Sequence, residues 1–233
     1  KPAFDYMLSL VEELQHYTTT QARVALRAFI AVRRRYQPIY ATSNGALTVT
    51  WATLATAIQR LVAEDSEGGR RAQAVVGGLF DVFAGADRVE SGRINDPSRH
   101  YPGDVAVRNA SGSWEKAIEV RDKVVAESDV YIFGRTCLSK GVREAAIVLA
   151  APNQPQLNDS AVATWAANSG LGLTLFYGWP YFVDQALFWS GSAKPQAVEV
   201  AVETIAARLV AVQASPASVL TWHALTRAAS GST

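Results

Sequence analysis

Residues 102–123 read Pro102-Gly103-Asp104-Val105-Ala106-Val107-Arg108-Asn109-Ala110-Ser111-Gly112-Ser113-Trp114-Glu115-Lys116-Ala117-Ile118-Glu119-Val120-Arg121-Asp122-Lys123. Two apolar-rich runs, 104–109 and 114–121, flank the polar turn Ser111-Gly112-Ser113, which is the pattern of a hairpin. Alternate side chains of a strand project to one face. Glu119, Arg121 and Lys123 are therefore expected in one row, with Asp104 at the start of the neighbouring strand. In that placement Asp104 and Glu119 can share a cation. Both are hard oxygen ligands suited to Mg2+, whose remaining positions water and a phosphate oxygen would fill. Cations beside such a pair would hold a phosphate or steady developing charge, the needs of phosphodiester cleavage.

Outward from this stretch the chain alternates helix and strand. Helical periodicity covers 3–16, 21–36, 48–62 and 70–84, with Thr18, Thr19 and Thr20 as cap candidates for the second helix. Arg33, Arg34 and Arg35 end that helix, where they suit the helix dipole or could touch phosphate. Residues 85–103 read as a polar connector. Within it Arg93, Asn95, Arg99 and His100 are candidate DNA contacts by their hydrogen-bonding chemistry. After the hairpin, a helix is expected over 126–140 with Ser128 as a cap candidate, then a buried strand over 145–151. A helix at 158–167, a strand at 171–177 and helices at 181–190, 195–213 and 216–228 complete the chain. The expected fold class is α/β: a mixed sheet flanked by helices, with a mainly helical N-terminal region. The expected division is 1–85 for that region and 86–233 for the α/β core with its C-terminal helices.

Composition narrows the function classes. Apolar residues make up 49% and charged residues 18% of the 233, enough for a large core. The formal charge of +1 speaks against a highly basic nucleic-acid coat protein but not against a local basic cleft. Of the 43 charged residues, 16 lie between Asp87 and Asp129, so charge concentrates around the hairpin. The single cysteine, Cys137, excludes a disulfide scaffold or a cysteine-rich zinc site within one chain, and it suits a cytoplasmic origin. Its apolar setting reads as core rather than nucleophile. No apolar run is long enough to span a membrane. The first residue is Lys1, which suits a fragment or processed chain. Trp179, Tyr181, Phe182, Phe188 and Trp189 form an aromatic cluster suited to core or interface. Glu12, Glu13, Glu64 and Glu67 are helical carboxylates from which a further acidic ligand could come.

Pro102-Gly103-Asp104 followed by Glu119-Val120-Arg121 resembles a variant of the PD-(D/E)xK nuclease motif. With the Ser128-Asp129-Val130-Tyr131 string that follows, residues 102–133 are most similar to the SacI-like group of type II restriction endonucleases. The element order agrees more loosely to about residue 176. The resemblance implies a restriction-endonuclease-like core of α-β-β-β-α-β order. It also implies Mg2+-dependent cleavage of double-stranded DNA by a type II site-specific deoxyribonuclease acting as a homodimer. It maps Asp104 and Glu119 to the metal-binding acids. Arg121 stands where the family has lysine, and Lys123 follows two residues later at about 7 Å along a regular strand. Arginine holds phosphate but does not readily take a proton. Two other readings therefore stand beside cleavage: a DNA-binding module with an inactive nuclease-like core, and a structural or protein-interaction domain.

Overall fold

Among the described residues, five strands form one sheet in the order β1-β2-β3-β4-β5, and each strand neighbours the next along the chain. The computed structural model describes residues 2–40, 49–91 and 101–230. The strands are β1 (Val89–Ser91), β2 (Val105–Arg108), β3 (Trp114–Arg121), β4 (Glu144–Leu149) and β5 (Gly172–Tyr177). β1, β2 and β3 pair antiparallel, while β3, β4 and β5 pair parallel. The parallel pairs are connected through α5 (Glu127–Ser139) and α6 (Asp159–Asn168). This is a mixed sheet flanked by helices, the restriction-endonuclease-like α/β architecture.

The chain divides into two compact units, Lys1–Ile39 and Tyr40–Thr233. The first holds α1 (Pro2–Gln15) and α2 (Thr19–Arg35). Thr18 caps α2 through a reciprocal pair with Gln21, so the first of the three candidate threonines fills that role. Helices α3 (Trp51–Glu64) and α4 (Arg70–Ala84) belong to the second unit and supply its core. Their apolar faces give no sequence sign of which unit they join, because a stripe records that burial occurs and not against what.

Alternation along the strands separates two cores. Val105, Val107, Ile118, Val120 and Val148 face α3, α4, α7 (Trp179–Phe188), α8 (Lys194–Ala211) and α9 (Pro216–Ser230). Ala117, Ala145, Ile147 and Leu149 face the other way, against Val130, Phe133 and Cys137 of α5 and Val162 of α6. The α4–α8 interface is close because Gly78 lies on the Ile205 backbone, where a Cβ would stand 2.6 Å from the Ile205 nitrogen. Of the aromatic cluster, Trp179 and Phe182 are buried, whereas Tyr181, Phe188 and Trp189 are exposed.

Two local expectations change. Ser128 lies inside the first turn of α5; the Ala126 amide at its start is satisfied instead by Asp129 Oδ2 at 2.9 Å. Strand β1 lies within the stretch read as connector. A three-residue strand carries no usable periodicity, and tertiary contacts hold it. Arg208 from α8 ion-pairs with buried Asp81 and donates to the Val89 carbonyl at 2.9 Å. Among the described residues, no helix is long and apolar enough to cross a membrane.

Candidate metal centre

Asp104 immediately precedes β2, and Glu119 lies near the end of β3. The register pairs Val105 with Ile118, so Asp104 comes opposite Glu119. Both fall on the α5–α6 side by alternation, because their neighbours Val105, Ile118 and Val120 face the other core. Each carboxylate is held by the opposite segment. The Val120 amide donates to Asp104 Oδ2 at 2.9 Å, and the Asp104 amide hydrogen-bonds the Glu119 carboxylate.

Gly103 explains why the acid follows Pro-Gly. A Cβ at Gly103 would stand 2.7 Å from the Ile118 carbonyl oxygen, closer than real side chains approach backbone. The missing side chain lets the Pro-Gly segment lie against β3. Gly103→Ala is expected to move Asp104 away from Glu119, and to lose about 1–3 kcal/mol by overpacking. Urea unfolding reads the stability, and Mn2+ binding reads the geometry. An alanine variant with unchanged Mn2+ affinity would contradict this role for Gly103.

The electrostatics mark the two acids as a pair. Burial and then the Asp104 charge push the Glu119 carboxyl up to about 7, against the pull of Arg121. Burial also raises Asp104, opposed by the Val120 amide and Arg121 and reinforced by Asp122. Two desolvated like charges favour either a proton or a cation between them. The donor chemistry fits Mg2+: two hard carboxylates, with water and phosphate oxygens to complete the shell. Among the described residues, no group of three or more His, Cys, Asp and Glu converges on a common point. Asp104 and Glu119 are the two carboxylates that the described residues bring together here.

Arg121 closes β3 and forms an ion pair with Glu119 through its guanidinium. Lys123 lies beyond the end of the strand and is exposed. It lines a cavity of about 730 Å3 with Asp122, Gln154, Tyr177 and Trp179 near the C-terminal ends of β3, β4 and β5. The expected three-residue row is thus two residues long, because the strand ends before Lys123. Lys116 lies on the opposite face from Glu119 and lines a separate cavity of about 500 Å3 with Phe80, Phe176 and Phe182. Arg108 does not pair with Glu119; it pairs with Glu90 and stacks 3.7 Å from the centre of the Trp114 ring.

The helical carboxylates have other roles. Glu67 accepts from the Ser215 amide and hydroxyl at 2.9 and 2.6 Å and lies 3.6 Å from Arg71. Burial acts to raise its carboxyl, but these hydrogen bonds and the Arg71 charge outweigh burial and leave it below the usual range. It anchors the start of α9. Glu64 is exposed on α3, and Glu12 and Glu13 are exposed on α1. Burial, with the Glu119 charge adding, pushes the Cys137 thiol up to about 12, so it carries no thiolate at neutral pH.

Two residues beside the pair carried no site signal in the sequence. Gln73 of α4 is buried and donates to the Asp104 carbonyl at 2.8 Å. Asp122, the first residue beyond β3, acts electrostatically on Asp104. Arg93, Asn95, Arg99 and His100 lie outside the described residues.

Residues 48–150 match the SacI restriction endonuclease C-terminal domain. The matched segment contains Asp104, Glu119 and Arg121, as well as α3, α4 and the first four strands. Over that part the chain is similar to a restriction-enzyme domain. No curated protein matches the chain.

Proposed function

We propose that the chain is a Mg2+-dependent endonuclease acting on double-stranded DNA, of type II restriction character. One observation carries this reading. Asp104 and Glu119, separated by 14 residues of hairpin, meet as a half-buried carboxylate pair beside Arg121, within the segment that matches the restriction-enzyme domain. Asp104 and Glu119 would hold the metal, which supplies Lewis-acid stabilisation of the phosphoryl oxygens and a more acidic water. The Val120 amide fixes one oxygen of Asp104, which pre-orients that carboxylate. Arg121 would neutralise charge on the phosphate; as a permanent cation it cannot take the water's proton. Lys123, on the cavity near the strand ends, would contact phosphate further from the scissile bond. Arg93, Asn95, Arg99 and His100 are our candidates for further DNA contact. A homodimer would place one such centre on each strand of a symmetric site.

The alternative with a specific observation behind it is an inactive DNA-binding relative, because Arg121 replaces the lysine and Lys123 stands beyond the strand. Plasmid digestion decides between them. The parent with Mg2+ is expected to nick or linearise DNA, and EDTA to stop it. Asp104→Asn and Glu119→Gln are each expected to lose more than about 100-fold, since changes one shell further from a metal already cost 10–100-fold. Metal-dependent cutting retained in both variants would reject this centre. DNA binding without cutting under varied Mg2+, Mn2+ and substrate conditions would select the inactive relative.

A further inference from the structure

We propose that Arg121 is a tethered cation that covers the acidic pair until a divalent ion displaces it, and that displacement frees its guanidinium for phosphate. The inference rests on the metal-binding reading of Asp104 and Glu119. It adds a second position for Arg121 and a coupling between metal entry and substrate contact.

The geometry on β3 supports it. Arg121 is the last residue of the strand and stands two positions beyond Glu119, so the side chains share a face. The guanidinium Nη2 pairs with Glu119 Oε1, and the same charge acts on Asp104. The side chain of Arg121 is 53% exposed, whereas that of Glu119 is 14% exposed. The arginine therefore lies on the solvent side of the carboxylate it pairs with. The Val120 amide holds Asp104 Oδ2.

A dication and a guanidinium cannot both sit on one carboxylate oxygen without strong like-charge repulsion. Asp104 and Glu119 would together hold a dication, which carries twice the charge of the guanidinium, while Arg121 pairs through one nitrogen with one oxygen of Glu119; the dication would therefore be the stronger occupant. The arginine is exposed enough to turn outward without unpacking the core. Once turned, it presents a planar donor fork to solvent, the arrangement that suits phosphate. In the metal-free state it offsets the repulsion of the two half-buried carboxylates. Lys123, beyond the strand, has no such contact with the pair and provides the internal comparison.

The full chain, labelled with 15N-arginine, tests this by NMR, with the Arg121 Nε resonance assigned from Arg121→Lys. Titration with Mg2+ is expected to shift and sharpen that resonance as the ion pair is lost. Mn2+ affinity by electron paramagnetic resonance is expected to rise about tenfold in Arg121→Ala, because a competing bound cation has been removed. It is expected to stay within about twofold in Lys123→Ala, a screened and exposed charge. An Arg121 resonance unchanged at saturating Mg2+ would overturn the inference while leaving the metal site intact. Equal tightening in Arg121→Ala and Lys123→Ala would reduce the effect to general charge and also overturn it. Absence of Mn2+ binding, or binding unaltered in Glu119→Gln, would instead overturn the metal-site reading on which it rests. The resonance of the parent decides the matter even if Arg121→Ala fails to fold.

Discussion

Glu119→Gln is expected to stabilise the metal-free chain at pH 8 while removing its divalent-ion binding. The Glu119 carboxyl is pushed up to about 7, first by burial and then by the Asp104 charge. An exposed glutamate in the unfolded chain titrates at about 4.3. Between those values the folded chain holds a proton that the unfolded chain has released. The unfolded state binds fewer protons there, so stability falls as pH rises from about 4.5 to about 7, then levels off. The full cost is roughly 3–4 kcal/mol, at 1.36 kcal/mol for each unit of displacement. Glutamine carries no charge at either pH and escapes it.

The measurement is urea unfolding of parent and Glu119→Gln at pH 5 and pH 8 without metal. The gap between the two proteins should widen from pH 5 to pH 8, with the variant the more stable. A gap that shrinks or reverses would show that Arg121 and the Asp104 amide more than offset the burial of Glu119. Because the proposed ligand is costly without metal, added Mg2+ should stabilise the parent and leave the variant unchanged.

Trp222→Ala is expected to cost about 4 kcal/mol, the largest loss from a single truncation away from the site. Trp222 of α9 is fully buried, and its indole nitrogen donates to the Val202 carbonyl of α8 at 3.0 Å. Truncation leaves a large cavity between α9 and its neighbours and removes the donor from a buried carbonyl. Trp189 is the control. It is 64% exposed, so Trp189→Ala should stay within about 0.5 kcal/mol. Denaturant midpoints of the two variants give the comparison. A loss below about 1 kcal/mol for Trp222→Ala would mean that α9 does not share the cooperative core.

The contrast between these tryptophans shows where sequence reading ends. Five aromatics stand close in the chain over 179–189, yet Tyr181, Phe188 and Trp189 are exposed. Trp222 stood alone in a helical pattern and is the largest fully buried side chain. Local density of aromatics does not report burial, which depends on the elements that arrive from elsewhere in the chain.

The sequence by itself determined the element order, apart from β1, and the central pair. Strand alternation on 114–121 is a strict period of two, so Glu119 and Arg121 had to share a face once the strand formed. The hairpin turn returned Asp104 to the same end. These results need only backbone geometry and a short loop. Tertiary structure decided what depends on distant contacts. It ended β3 at Arg121, which removed Lys123 from the row. It formed β1 from a polar stretch by pairing it with β2 and tying it to Arg208. It brought Gln73 onto the Asp104 carbonyl and the Asp122 charge within reach of Asp104, and it took Glu67 to the start of α9. It also joined α3 and α4 to the sheet-bearing unit. Periodicity specifies which face of an element is buried; only the packed chain specifies what that face meets and where a strand stops.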